Sequence, residues 1–129
     1  MADNIASGVA NSVLALLLNG TAFAGFAATY AQLHIGAPGA AGTANVAGNS
    51  TRQAAGAFAT PSGGTTSNSG AVNWTSVSTS ETYTHVSLWS ASSGGTFIAS
   101  GALTAGAILV GQNFTIPAGG MSVTLPVAS

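Results

Sequence analysis

The side chains that could move a proton or hold a metal ion are few in this chain of 129 residues. They are His34, His85, Asp3, Glu81, Tyr30 and Tyr83. Glu81 and His85 look like an acid–base pair, but residues four apart on a strand lie about 13 Å from each other. Cysteine is absent, so the chain has neither a disulfide framework nor a Cys-based zinc site. The sequence therefore predicts a non-enzymatic protein without a metal or a cofactor.

Both histidines have plain structural interpretations. We expect His34 to be a strand histidine that hydrogen-bonds to the backbone, and His85 to pack beside Tyr83 or Trp89. Many serines could complete a Ser–His–acid arrangement on paper. However, the Gly-x-Ser-x-Gly pattern of a nucleophile elbow is absent from the sequence.

Only three residues carry a formal charge at neutral pH, namely Asp3, Arg52 and Glu81. Lysine is absent from the sequence. Ordinary soluble domains are about one quarter charged, and a net charge near zero favours association. We therefore interpret the chain as a subunit of an assembly whose surface is suited to contact. Nucleic-acid binding requires clustered lysine and arginine, so we expect no nucleic-acid partner.

Arg52 and Glu81 are the only charged residues outside the N-terminus. Two interpretations are open for them. They form an ion pair within one chain, which is worth only about 0–1 kcal/mol when exposed, or each pairs with a neighbouring subunit. The second interpretation makes both residues candidates for contact with a partner.

The N-terminal segment has the pattern of an amphipathic helix over residues 4–18. Helical spacing places five apolar residues on one stripe: Ile5, Val9, Val13, Leu16 and Leu17. Asp3 or Asn4 could cap the start of this helix, and Asn19-Gly20 favours its end. The stripe either covers the protein's own sheet or anchors the chain to a partner.

No charge occurs in residues 5–35, which raises the question of a membrane. A spanning helix needs about 20 mostly apolar residues, and Asn19-Gly20-Thr21 interrupts the most apolar window at residues 13–31. We expect no membrane-spanning segment. A small membrane-associated protein is kept as the third functional alternative.

Short stretches of strand-forming residues follow the helix and are separated by turns rich in Gly, Pro and Ser. We predict a loop at 39–50 and strands at 52–60, 71–77, 82–90, 96–103, 107–110, 113–116 and 121–126. Alternation along 82–90 predicts two faces, with Thr84, Val86 and Leu88 on one and Tyr83, His85, Ser87 and Trp89 on the other. The predicted fold class is mainly β, a single antiparallel β-sandwich or barrel over 20–129. One α-helix precedes it in a segment over 1–19.

A series of short motifs resembles a family of small virion proteins from tailed double-stranded DNA phages, many of which infect actinobacteria. The motifs read YAQLHIGAPG at 30–39, TRQ at 51–53, NSGAVNW at 68–74, THVSLW at 84–89, GGT at 94–96, SGAL at 100–103 and IPAGGMSVTL at 116–125. Members carry the labels tail-fibre, minor tail or capsid-decorating protein. The resemblance extends over residues 8–125 and implies a virion structural protein with an all-β domain after an N-terminal helix.

The first hypothesis from this resemblance is a capsid decoration (minor capsid) protein that binds and stabilises the major capsid lattice on the virion surface. We expect a homo-oligomer, a trimer, anchored by the apolar stripe of the N-terminal helix. Repetition of many weak contacts would stabilise such a shell through multivalency. The second hypothesis is a tail-fibre or minor tail subunit that contacts the host surface. Its binding loops would be 39–50 and 61–70, with Trp74 or Tyr83 stacking on sugars if exposed.

Overall fold

Nine strands and one helix form the described part of the chain, residues 4–128, in the computed structural model. The helix α1 is Ser7–Asn19. The strands are β1 Asn4–Ile5, β2 Tyr30–His34, β3 Gln53–Ala54, β4 Thr65–Ser67, β5 Val72–Trp74, β6 Glu81–Trp89, β7 Phe97–Ile108, β8 Phe114–Ile116 and β9 Ser122–Thr124.

The strands form one large antiparallel sheet and two small ones. The large sheet has five strands in the order β1-β7-β6-β2-β3, and the strand pairs β4-β9 and β5-β8 form the others. The arrangement is sandwich-like and is not a closed barrel. The predicted fold class, mainly β with one N-terminal helix, is therefore confirmed.

One face of the large sheet carries the apolar core. Cross-strand pairs place Leu33 of β2 beside Val86 of β6, and Ala31 beside Leu88. The small sheets and their loops cover these residues with Trp74 and other fully or almost fully buried side chains, among them Val72, Val77, Ile116 and Met121. Full burial of such aliphatic side chains stabilises the fold by about 1.5–3 kcal/mol each.

An irregularity in the pairing of β6 with β7 overrides the alternation that the sequence predicts. Tyr83 pairs with Gly106 and His85 pairs with Ala102, so Thr84 alone lies opposite three residues of β7. Tyr83 belongs to the core cluster that contains Val86, although strict alternation assigns these two residues to opposite faces. The aromatic ring of Phe114, centred 4.9 Å from the ring of Tyr83, packs on it there.

Buried Asn68 ties the end of β4 to the loop before β9. Its side-chain nitrogen donates to the carbonyls of Gly70 and Pro117 at 2.8 and 3.0 Å, and its side-chain oxygen accepts the Met121 N–H at 2.9 Å. Its exposed fraction is 1%. Three bonds to the backbone compensate the cost of removing this amide from water.

The helix begins later than residue 4, and the predicted cap is wrong for Asn4. Asn4 pairs with Ser100 of β7, and the Ala6 N–H donates to the Ile98 carbonyl at 2.8 Å. Sheet pairing therefore uses the residues that the pattern assigned to the first turn. Ala6 is the N-cap, without a side-chain bond, and Gly20 ends the helix at φ 67°, as predicted. The other predicted cap, Asp3, lies outside the described residues.

Two predicted strand boundaries are wrong in the middle of the chain. The stretch 52–60 contributes only Gln53–Ala54 and an isolated bridge at Phe58, because positive φ at Gly56 interrupts the extended backbone. The stretches 96–103 and 107–110 form one strand, β7. The division of the chain at residue 19 stays a prediction.

No helix within residues 4–128 is long and apolar enough to cross a membrane.

Candidate functional site

His34 lies at the centre of a buried hydrogen-bond network on the second face of the large sheet. Its Nδ1 is 2.8 Å from the Ala44 carbonyl oxygen, which can only accept, so Nδ1 carries the proton. Nε2 then accepts from the Ser87 hydroxyl at 2.7 Å. The indole N–H of Trp89 donates to the same hydroxyl oxygen at 2.8 Å. The predicted bond between His34 and the backbone is confirmed.

The Ser87–His34 pair has the atoms of a nucleophile and its base, but its surroundings are those of a structural network. Both residues are fully buried, whereas a nucleophile must reach its substrate. The group that orients His34 is a neutral carbonyl, not a carboxylate. Burial is the largest cause that lowers the pKa of His34. The ring is therefore held neutral at physiological pH.

Arg52 lies over the outer surface of this network. Its guanidinium carbon is 4.1 Å from the centre of the Trp89 ring, a cation–π distance. One guanidinium nitrogen, Nη1, donates to the carbonyls of Ala91 and Gly94 at 2.8 and 2.7 Å. The only cationic side chain of the protein therefore holds the turn between β6 and β7 against the sheet.

Glu81 performs the same task for a different loop. Its two carboxylate oxygens accept the N–H groups of Gly48 and Asn49 at 2.8 and 3.0 Å. Within residues 4–128 Glu81 and Arg52 thus bind backbone groups of separate loops, so the first interpretation, an ion pair within one chain, is wrong. Pairing of either residue with a neighbouring subunit stays a prediction. Each charged side chain lies within hydrogen-bond distance of backbone groups and not of the other charged side chain. Only the folded positions of the loops could show this.

His85 lies beside a cavity of about 440 Å³ at the end of β1. Its Nδ1 is 2.9 Å from the Thr84 hydroxyl oxygen. The lining includes Ser7, Pro38, Phe97, Ser100 and Ala102. His85 shares its sheet face with Trp89, as the alternation predicts, and pairs across strands with His34.

Trp74 and Tyr83 cannot stack on a sugar, which corrects the sequence hypothesis. Their exposed fractions are 1% and 0%, and the Trp74 indole N–H donates to the Thr51 carbonyl at 2.8 Å. Burial, reinforced by the charge of Glu81, raises the pKa of Tyr83. Both rings belong to the core because the small sheets cover them.

The predicted apolar stripe of the helix divides into a covered part and an exposed part. Ile5 lies in β1 and is half-buried, Val9 is buried and Val13 is half-buried. Leu16 and Leu17 are 43% and 70% exposed. Exposure increases towards the C-terminal end because the strands pack little against α1 within the described residues.

Two further leucines, Leu14 and Leu18, are 54% and 79% exposed. Three of the exposed side chains, at positions i, i+3 and i+4, share one side of the helix, and we name them the leucine face: Leu14, Leu17 and Leu18. The stripe pattern omitted two of them because it assumed that one side of the helix is buried along its whole length. The density of leucine at 14–18 was the signal that could have shown this surface. The sequence contained no such signal for Ser87. Its role depends on hydrogen bonds to His34 and Trp89, which form only in the folded chain.

The sheet architecture, the internally bound charges and the leucine face describe a structural protein. A family sequence model matches residues 4–124, nearly the whole chain, and places it among phage virion structural proteins. The family is that of the podophage GP4 fiber I protein gp80, and this chain belongs to it. No curated protein gives a significant match. The resemblance to virion proteins is thus confirmed at the level of the virion, and the tail and the capsid both remain open as locations.

Proposed function

We propose that this chain is a non-enzymatic subunit of a phage virion fibre that assembles with copies of itself through the leucine face. The observation that carries this proposal is the exposure of three leucines on one side of the C-terminal half of α1: Leu14, Leu17 and Leu18. The name of the family, which refers to a fibre, supports a fibre over a capsid lattice.

The leucine face suits an interface between copies. Removal of one exposed leucine side chain from water is favourable by about 1.5–3 kcal/mol when burial is complete. No charged residue lies in α1, so equivalent helices from neighbouring copies meet without charge repulsion. We propose three copies, since a cyclic arrangement closes with one repeated contact.

The state of the ionisable groups supports a structural role. Arg52 and Glu81 hold loops of their own chain, and the Ser87–His34 pair is sealed from solvent. Within residues 4–128 no group of three or more histidine, cysteine or acidic side chains is arranged to hold a metal ion.

A capsid decoration protein bound to the major capsid protein is the second candidate. The observation in its favour is the composition, since only 2% of residues are charged. Many weak, uncharged contacts repeated by symmetry would stabilise a capsid lattice through multivalency.

The location of the protein in purified virions tests the proposal. We would measure its copy number by quantitative mass spectrometry and image particles with gold-labelled antibodies. A fibre subunit is expected at tens of copies, with label confined to projections. Hundreds of copies with label spread over the head would overturn the fibre and support decoration. Recovery of the protein in host membranes, and not in detergent-washed particles, would overturn both.

A further inference from the structure

Helix α1 begins without a side-chain cap. Its N-cap residue, Ala6, makes no side-chain hydrogen bond, and the first turn contains no acidic residue. The Ala10 N–H is the first to reach a helical acceptor, the Ala6 carbonyl at 2.9 Å. The N–H groups of Ser7, Gly8 and Val9 have no acceptor within residues 4–128. Free N–H groups and the helix dipole together make such an end favourable for an anion.

The cavity of about 440 Å³ lies against this end of the helix. The end of β1 and the start of α1 line one side of it, and the loop 37–40 lines another. Two hydrogen bonds of 2.9 Å hold that loop in place. The Ala44 N–H donates to the Pro38 carbonyl, and the Asn45 side-chain nitrogen donates to the Ala37 carbonyl. The volume is within the range of small-molecule sites, which is about 300–1,000 Å³.

Ser100 of β7 provides an independent indication of a ligand. The residue lines the cavity and is only 7% exposed. It pairs with Ser87 of β6, so its side chain is on the same face of the sheet as His85, which lines the cavity as well. The Ser100 hydroxyl forms no hydrogen bond within the described residues. Since a polar group removed from water without a partner costs free energy, an acceptor in the cavity would be stabilised there.

His85 can supply a further donor to the same cavity. Its Nδ1 is 2.9 Å from the Thr84 hydroxyl oxygen. When that hydroxyl donates to Nδ1, the neutral ring carries its proton on Nε2, which has no partner within residues 4–128. No carboxylate is among the described residues that line the cavity, and Pro38 and Phe97 give it an apolar wall. The cavity therefore combines several donors for an anionic group with a surface for an apolar one.

We propose that this cavity binds a small organic anion, a carboxylate or a phosphate monoester on a compact apolar body. The anionic group accepts from the free N–H groups of α1, from the Ser100 hydroxyl and from His85 Nε2. The apolar body packs against Pro38 and Phe97. The site lies at the end of α1 opposite to the leucine face, and it goes beyond the proposed role in assembly.

Isothermal titration calorimetry with simple probes tests the chemistry of the ligand. Phenyl phosphate and benzoate carry the two anionic groups, and benzyl alcohol is the neutral control. We expect saturable binding of at least one anion, with benzyl alcohol weaker by about tenfold or more, because it lacks the charge-assisted hydrogen bonds. The stronger of the two anions identifies the anionic group. Equal binding of benzyl alcohol, or binding of neither anion, would overturn the proposal.

Ser100→Ala tests whether the anion is bound in this cavity. Loss of the hydroxyl should weaken binding by about tenfold, and the smaller side chain fits the same space. Ser92→Ala, in an exposed turn, is the matched control and should keep the affinity of the natural chain. Equal affinities for the folded Ser100→Ala and Ser92→Ala variants would place the anion elsewhere and overturn the site.

Ala6→Asp tests the part played by the helix end. A carboxylate at the N-cap accepts the free N–H groups itself, so this variant should lose anion binding while its urea denaturation midpoint rises. Ala118→Asp adds the same charge at an exposed turn and should change neither property. Circular dichroism confirms that each variant is folded. Anion binding by folded Ala6→Asp as strong as that of the natural chain would overturn the proposal.

Discussion

The leucine face and the network around His34 invert the usual distribution of side chains. The first exposes three leucines on one side of a helix, and the second buries a histidine, a serine and most of a tryptophan under Arg52. Every polar group that the network buries has a partner in the same chain, whereas the side chains of the leucine face are more than half exposed. The difference indicates that the network around His34 is complete within one folded chain, whereas the leucine face is available for contact in an assembly.

Trp89→Ala should produce the largest effect, because it removes the largest side chain of the buried network. The ring packs against Phe97 at 5.3 Å between ring centres and against Arg52. Loss of a buried tryptophan costs about 3–5 kcal/mol of unfolding free energy. Urea denaturation measures this cost. Leu109→Ala, at an exposed position, is the control and should change the free energy by less than about 0.5 kcal/mol. Equal effects would contradict the comparison.

Leu17→Gln with Leu18→Gln should weaken self-association while leaving the fold intact. Glutamine is a good helix former, and each lost leucine contact is worth up to about 1.5–3 kcal/mol, which is about tenfold or more in the association constant. Sedimentation equilibrium measures the change. Deletion of residues 1–18 is a poorer test, since it also removes β1.

The matched control for this variant is Leu109→Gln with Val110→Gln, an adjacent pair that is 63% and 62% exposed away from the helix. The control should keep the association constant of the natural chain. If both double variants weaken association equally, the leucine face has no special role and general hydrophobicity explains the assembly.

Ser87→Ala should have an intermediate effect on stability. The substitution leaves Nε2 of His34 and the indole N–H of Trp89 without their partner. A buried polar group left unsatisfied costs about 1–3 kcal/mol. Ser92→Ala in the exposed turn serves as control in the same denaturation experiment. A change below 0.5 kcal/mol for both would mean that the network contributes little.

The smallest effect expected is a dependence of stability on pH that originates in His34. Its pKa in the folded chain lies below the ordinary value of 6.5 because of burial, so the unfolded chain binds a proton first as the pH falls. Stability is therefore complete above the ordinary value and decreases below it. The slope is at most about 1.4 kcal/mol per pH unit for one proton.

Denaturation midpoints between pH 7.5 and 4.5 measure this dependence. His34→Gln should flatten the profile below pH 6.5 relative to the natural chain, whereas His85→Gln keeps the buried histidine and should retain the decrease. A flat profile for the natural chain would contradict the buried neutral state of His34.

Prediction from the sequence succeeded where local chemistry decides the outcome. Strand β6 was placed within one residue at each end, and Gly20 ends the helix in the left-handed conformation that glycine readily adopts. Prediction failed where a distant segment competes for the same residues. Asn4 pairs with Ser100, almost a hundred positions away, and no local pattern contains that contact.

For the candidate site, the residue types were predictable and their partners were not. The sequence marked Arg52 and Glu81 as the strongest polar groups of the β-domain, and both do anchor structure. Their partners are the carbonyls of Ala91 and Gly94 and the N–H groups of Gly48 and Asn49. Backbone groups are present at every residue, so side-chain types cannot reveal which of them fold into reach.

The amino-acid sequence by itself determined the class of the fold, the scarcity of charge and the virion character of the family. These properties follow from composition and from the order of short motifs, which need no long-range contacts. Only the tertiary structure decided that both charges of the β-domain are bound internally, that three leucines on one side of the helix remain outside, and that a cavity lies at the uncapped end of α1. Burial and strand pairing depend on which segments cover one another. Contacts between residues far apart in the chain determine this, and no local pattern contains them.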